Sequence, residues 1–219
     1  MRIAPSLAAA SLDRLGDVIR LLDQADADFI HFDFEDGIFV PVMTLGTKIL
    51  ADLRPLTRRP FDVHLMMIQP EWIIPQLVCD GAERISVHLE ACPYPRRTLR
   101  LIAEAGATAG LALNPVTPLP DLASLRPYLS FIVILTTEPE VPDSVFLPSV
   151  LEKVRQGKRL PEAAGLEWVV DGGLNAENLP QAVQAGADIV VIGRSVFRDG
   201  DIAGNLARLR AAATGHSQE

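Results

Sequence analysis

Two side chains of complementary chemistry stand two residues apart in Phe29-Ile30-His31-Phe32-Asp33-Phe34-Glu35-Asp36-Gly37. The alternation from Ile30 to Phe34 puts His31 and Asp33 on one face of a strand and the apolar residues on the other. Burying both polar groups is costly unless something binds them. An imidazole and a carboxylate at a strand end make half of a metal or acid/base site. An isolated pair of this kind reads better as a hydrogen-bonded core pair. This one is not isolated. His64 lies in Asp62-Val63-His64-Leu65-Met66, His88 and Glu90 close another apolar run, Asn114 closes the next, and Asp171 precedes Gly172-Gly173.

His31, Asp33, His64 and Asp171 form the candidate ligand set. Two imidazoles and two carboxylates suit one divalent ion (zinc, iron, manganese or cobalt) with a position left for a substrate oxygen. Taken singly, His64 or Asp171 would pass for a satisfied core residue or a helix N-cap. As a set they favour ligation. His88 has no evident partner among them, and a supporting or structural role suits it better. Asp62 is expected to point away from the neighbours of His64 and is given no role. Two carboxylates in one site also suggest proton chemistry. If Asp33 and Asp171 flank a bound substrate, one can remove a proton and the other return one to the far face. An ion that polarises the adjacent carbonyl and holds the enediolate makes that carbon acidic enough near neutral pH. The product of such a step is an epimer.

The elements that must position these residues alternate along the whole chain. Strands are predicted at 3–6, 30–34, 60–66, 84–89, 108–113, 131–136, 168–171 and 189–193. Helices are predicted between them at about 11–24, 48–53, 71–79, 96–104, 119–125, 146–155 and 177–184, with a last one at 202–212. Asp80-Gly81-Ala82, Ala105-Gly106-Ala107 and Ala185-Gly186-Ala187 each sit between a helix and the next strand, where a left-handed cap turns the chain back. Eight strand–helix units predict an α/β fold, a single (β/α)8 barrel over residues 1–213, with a disordered polar tail at 214–219. A flavodoxin-like sheet would need fewer units. In such barrels the strands' C-terminal ends carry the site, and three of the chain's four histidines fall there.

Composition narrows the function classes. Of 219 residues, 48% are hydrophobic and 22% charged, as in an ordinary globular protein. A net charge of -8 argues against nucleic acid as a partner. Cys79 and Cys92 make no metal-spaced pair and fit a reducing compartment. No run approaches membrane-spanning length and the first residues lack a signal-peptide core, so a cytoplasmic protein with no membrane partner is expected.

Nearly the whole chain resembles the ribulose-phosphate 3-epimerase family. The resemblance rests on Ile3-Ala4-Pro5-Ser6, on His31-x-Asp33-x-x-Asp36-Gly37-x-Phe39-Val40-Pro41 and on Asp62-Val63-His64-Leu65-Met66. It continues through Val87-His88-x-Glu90-Ala91, Leu113-Asn114-Pro115-x-Thr117-Pro118, Phe146-x-Pro148-x-Val150-Leu151-x-Lys153 and Val170-Asp171-Gly172-Gly173. It implies a barrel enzyme in which His31, Asp33, His64 and Asp171 hold a divalent metal and Asp33 and Asp171 act as acid and base. It further implies that Ser6 and Met66 line the substrate and that the protein is a homo-oligomer, a dimer or larger. Gly172-Gly173 and Gly193-Arg194-Ser195 follow strands seven and eight, where barrels bind phosphate through backbone amides, and Arg194 would be a counter-ion. Gly193 as a plain turn and Arg194 as a surface residue are the alternative.

Three departures bear on substrate. The family's glycine-rich lid after strand six is replaced by Glu138-Pro139-Glu140-Val141-Pro142-Asp143-Ser144, which loses the close backbone approach to an anion and adds three carboxylates. Glu35 stands where the family has methionine, as a candidate substrate contact, and Val42 replaces an asparagine. Leu135 for another methionine conserves volume. The expected function is therefore a metal-dependent epimerisation next to the carbonyl of a ketose phosphate. The alternatives are a related epimerase, isomerase or lyase acting on a different sugar, phosphorylated or not, and a noncatalytic metal- or sugar-binding barrel.

Overall fold

The computed structural model describes residues 1–139 and 145–215. Its centre is one sheet of eight parallel strands: β1 (Arg2–Pro5), β2 (Ile30–Glu35), β3 (Phe61–Met66), β4 (Ala82–His88), β5 (Thr108–Leu113), β6 (Phe131–Leu135), β7 (Glu167–Asp171) and β8 (Ile189–Ile192). From β2 to β8 each strand pairs with the next, β8 returns to β1, and a single parallel bridge between Ser6 and His31 links β1 to β2. The seam of this nearly closed barrel therefore lies beside His31 and Asp33.

Around it pack α1 (Leu15–Gln24), α2 (Lys48–Leu53), α3 (Ile74–Cys79), α4 (Pro95–Ala105), α5 (Leu122–Leu125), α6 (Glu152–Gly157), α7 (Leu179–Ala185), α8 (Arg194–Phe197) and α9 (Ile202–Ala213). Helix ends differ from the sequence reading where local bonding wins. Leu12–Arg14 and Pro148–Leu151 wind as tighter 3-10 turns ahead of α1 and α6. α5 begins only at Leu122, because the Asp121 side chain accepts the Ala123 N–H as its cap. Gly106 and Gly186 do close α4 and α7, both at φ +104°. Thr214 and Gly215 form a turn after α9, while 216–219 lie outside the described residues.

Strand alternation divides the core in two. One set of side chains (Ile30, Phe32 and Phe34 on β2, Ile132 and Ile134 on β6) packs outward into the helix layer. The other set faces the barrel axis and is mostly apolar on β1, β5, β6, β7 and β8: Ala4, Ala112, Phe131, Val133, Leu135, Val169, Ile189 and Val191, with Glu167 and Asp171 either side of Val169 on β7. On β2, β3 and β4 the axial positions are instead buried polar residues, among them His31, Asp33, Glu35, Asp62, His64, Arg84, Ser86 and His88. The barrel interior is thus greasy on one side and ionisable on the other, an arrangement whose cost must be offset by partners.

Candidate active site

Register decides which of these polar groups meet. His31 pairs with Asp62 and Asp33 with His64 across β2 and β3. Asp171 ends β7 and reaches the same point. Single ligand atoms from His31, Asp33, His64 and Asp171 lie within 4.8 Å of one another. His31 Nε2 is 3.2 Å from Asp33 Oδ1, and His64 Nδ1 is 3.4 Å from Asp33 Oδ1 and 3.7 Å from Asp171 Oδ2. That Nδ1 is buried without a hydrogen-bond partner among the described residues. A bare imidazole nitrogen facing two carboxylates is what a cation would complete, so the donor set fits a divalent transition metal held by mixed nitrogen and oxygen ligands.

The groups behind the four residues fix them. His31 Nδ1 donates to Asp62 Oδ2 at 2.8 Å. Asp62 in turn accepts from Arg84 Nε at 3.1 Å, and Arg84 reaches Glu167 at 2.6 Å, which also pairs with Arg2. Asp62 therefore does not point away from the site: it sits on the same face as His64 and orients His31, correcting the sequence reading. The signal was present, since residues two apart on a strand share a face. His88, expected to pair with none of the set, lies 2.9 Å from His64 through their Nε2 atoms, and its Nδ1 is 3.1 Å from Glu90 Oε2.

Charge is unevenly shared. Burial opposes ionisation of Asp33, but His31 and His64 outweigh it and hold this carboxyl well below the usual carboxylate range. Burial and then the Asp33 charge push Asp171 up to about 6. Burial likewise opposes an imidazolium at His31, yet Asp33 and Asp62 raise it well above an ordinary histidine. Two carboxyls in one site are thus driven apart, one to stay ionised and one able to hold a proton.

Of the remaining sequence candidates, the Ser6 hydroxyl donates to Asp33 Oδ2 at 2.6 Å. Met66 is buried in register with Glu35. Glu35 Oε2 accepts the Thr44 N–H at 2.6 Å, while its buried Oε1 has no partner among the described residues. Burial raises this carboxyl against the Thr44 bond. Gly172 and Gly173 take φ of +109° and +67°, and a Cβ on Gly172 would run into Thr137. Gly193 precedes α8, Arg194 is exposed, and the Ser195 hydroxyl donates to the Leu174 carbonyl at 3.3 Å. Glu138 and Pro139 line a cavity of about 320 Å³ with Phe39, Val40, Pro41, Asn114, Pro115 and Val116. Residues 140–144 of the replaced lid lie outside the described residues.

The model of the ribulose-phosphate 3 epimerase family matches residues 2–197. The chain belongs to that family. It is 42% identical over 212 residues to ribulose-phosphate 3-epimerase of a Synechocystis species, covering 95% of this chain and 92% of the relative. The enzyme of the same name from Bacillus subtilis is 37% identical over 215 residues, covering 97% and 99%. Among solved structures, a tryptophan synthase α-subunit mutant from Pyrococcus furiosus superposes with a TM-score of 0.68 at 15% identity, covering 98% of each chain. That likeness is one of barrel fold alone. This member of the ribulose-phosphate 3 epimerase family is a carbohydrate epimerase, an isomerase. Among the described residues no helix is long and apolar enough to cross a membrane.

Acid should loosen the epimerase in a defined window. Against the cost of burial, His31 and Arg84 hold Asp62 below the normal range, and bonds from His88, Thr117 and Asn114 bring Glu90 down to about 2. Lowered carboxyl values add stability that is complete above their unfolded values near pH 4 and is lost as pH falls through the folded ones. The urea midpoint of metal-free protein should therefore fall between about pH 4 and pH 2, and Glu90→Gln should flatten that fall. A midpoint unchanged over this range would contradict the assignment.

Proposed function

We propose that this epimerase inverts the carbon next to the carbonyl of a ketose phosphate, with ribulose 5-phosphate as the first substrate to test. The observation that carries the reading is the convergence of Asp33 from β2 and Asp171 from β7 on the bare Nδ1 of His64. Asp33, kept ionised by two imidazoles, is the group poised to take a proton. Asp171, held up to about 6, is the one able to carry a proton near neutral pH and deliver it to the other face. Ser6 holds Asp33 in orientation, and the apolar wall of Met66 and Leu135 limits water around the reacting carbon.

His31 Nε2, His64 Nδ1 and the two aspartates would hold one divalent ion (zinc, iron, manganese or cobalt), which supplies Lewis-acid polarisation of the substrate carbonyl. Gly172, Gly173, Gly193, Arg194 and Ser195 are assigned to the phosphate end, where tight glycine turns leave backbone amides accessible. Glu35 is assigned to a substrate hydroxyl through its unpartnered Oε1. We further assign the chain to the cytoplasm, as a homo-oligomer whose single functional domain is the 1–213 barrel.

The same acid/base chemistry on a different sugar is the second reading. It is favoured by Glu35 beside the ligands and by Glu138 on the mouth cavity, both of which place carboxylates where a phosphorylated substrate would feel repulsion. Chelation followed by metal restoration tests the proposal. Turnover of ribulose 5-phosphate should vanish on removal of bound ions and return with Zn²⁺, Mn²⁺, Fe²⁺ or Co²⁺. Undiminished turnover by the stripped protein would refute the metal assignment, and turnover of another ketose alone would select the second reading.

A further inference from the structure

We infer that His88 and Glu90 are positioning residues that dictate which nitrogen of His64 is left bare; the inference rests on the reading of His64 as a metal ligand. Glu90 Oε1 accepts the Asn114 backbone N–H at 2.8 Å and the Thr117 hydroxyl, which anchors the carboxylate to the loop after β5. Its Oε2 faces His88 Nδ1 at 3.1 Å. A carboxylate has no proton to give, so His88 Nδ1 must carry one.

A neutral His88 then presents a lone pair at Nε2, 2.9 Å from Nε2 of His64. Two bare nitrogens at that distance would repel, so the His64 Nε2 carries a proton, and in a neutral, ligating His64 that leaves Nδ1 bare. This is the nitrogen that faces Asp33 and Asp171. Both rings are fully buried, and the Phe39 ring packs 4.6 Å from His88, so water has no access to replace either partner. This order of protons satisfies every contact from Thr117 to His64 Nε2 and leaves the His64 Nδ1 lone pair for a cation. Tautomer control by the partner of the second ring nitrogen is a general feature of ligating histidines, and here it acts through two rings in series.

The isosteric change Glu90→Gln reverses the relay. Its amide oxygen would take the Asn114 and Thr117 bonds, and its amide nitrogen would donate to His88 Nδ1. The His88 proton then moves to Nε2, and His64 is forced to carry its own on Nδ1. Long-range ¹⁵N imidazole spectra of metal-free protein should show His64 protonated at Nε2 in the wild type and at Nδ1 in E90Q. Zn²⁺ affinity by chelator competition should fall about 10–100-fold in E90Q. His88→Gln, which keeps an acceptor for the His64 proton, should retain most of the affinity that His88→Leu loses. A wild-type tautomer in folded E90Q, or Zn²⁺ affinity unchanged in both E90Q and H88L, overturns the inference. Wild-type protein that binds no Zn²⁺ would instead sink the metal reading, and the tautomer measurement would still decide the role of Glu90.

Discussion

Asp33→Asn and Asp171→Asn should each cut epimerisation at least about a thousandfold, the upper part of the range for loss of a positioned acid or base. The two variants should nevertheless differ from each other. Each aspartate serves one face of the substrate, so each variant keeps one intact proton-transfer group. With Asp171→Asn, Asp33 can still take and return a proton on its own face, and one epimer should exchange its α-proton with solvent while none converts. With Asp33→Asn the exchanging epimer should be the other one. The Asp33 variant should also bind metal more weakly, because that carboxylate touches both His31 and His64. Isotope exchange read by NMR on each purified epimer checks the pair. Full epimerisation by either variant, or loss of exchange from the same epimer in both, would contradict the two-faced assignment.

Asp62→Ala should be the most damaging single change to the fold beneath the site. Asp62 is fully enclosed between His31 at 2.8 Å and Arg84 at 3.1 Å. Deleting it leaves a buried guanidinium short of a partner and an imidazole free to rotate. Arg84 keeps Glu167 and the Phe131 ring 4.0 Å below it, but one of its own nitrogens already lacks a partner among the described residues. Removing one member of a buried ion pair typically costs about 3–5 kcal/mol, or roughly 6–20 °C in Tm for a domain of this size. Metal affinity should fall with it, since His31 loses the contact that fixes its ring. A thermal midpoint within roughly 2 °C of wild type would show that the ladder from Arg2 to His31 contributes little.

The residues that were legible in the sequence are those whose meaning is local. Strand alternation and the glycines after helices suffice for a ring of strand–helix units, and His31 and Asp33 announce their shared face by spacing alone. His64 and Asp171 were legible because one lies near the end of an apolar strand and the other closes one, which in a barrel means the mouth. Asp62 was misread although its spacing from His64 gives the shared face directly, because its role depends on the cross-strand register with His31, which no spacing reveals. The His64–His88 contact is of the same kind: it joins adjacent strands at a height set by barrel geometry. Helix starts were blurred where a side chain such as Asp121 captures the chain locally. The orphaned oxygen of Glu35 shows only once Thr44 is seen to satisfy the other one.

Incubation of the metal-loaded enzyme with ribulose 5-phosphate in D₂O, followed by NMR, tests the central claim most directly. Two-faced proton transfer by Asp33 and Asp171 predicts deuterium at C3 together with the appearance of xylulose 5-phosphate. Conversion of one epimer to the other with no solvent deuterium at C3 would contradict that mechanism, and no reaction with ribulose 5-phosphate or any other ketose would contradict the proposed function itself.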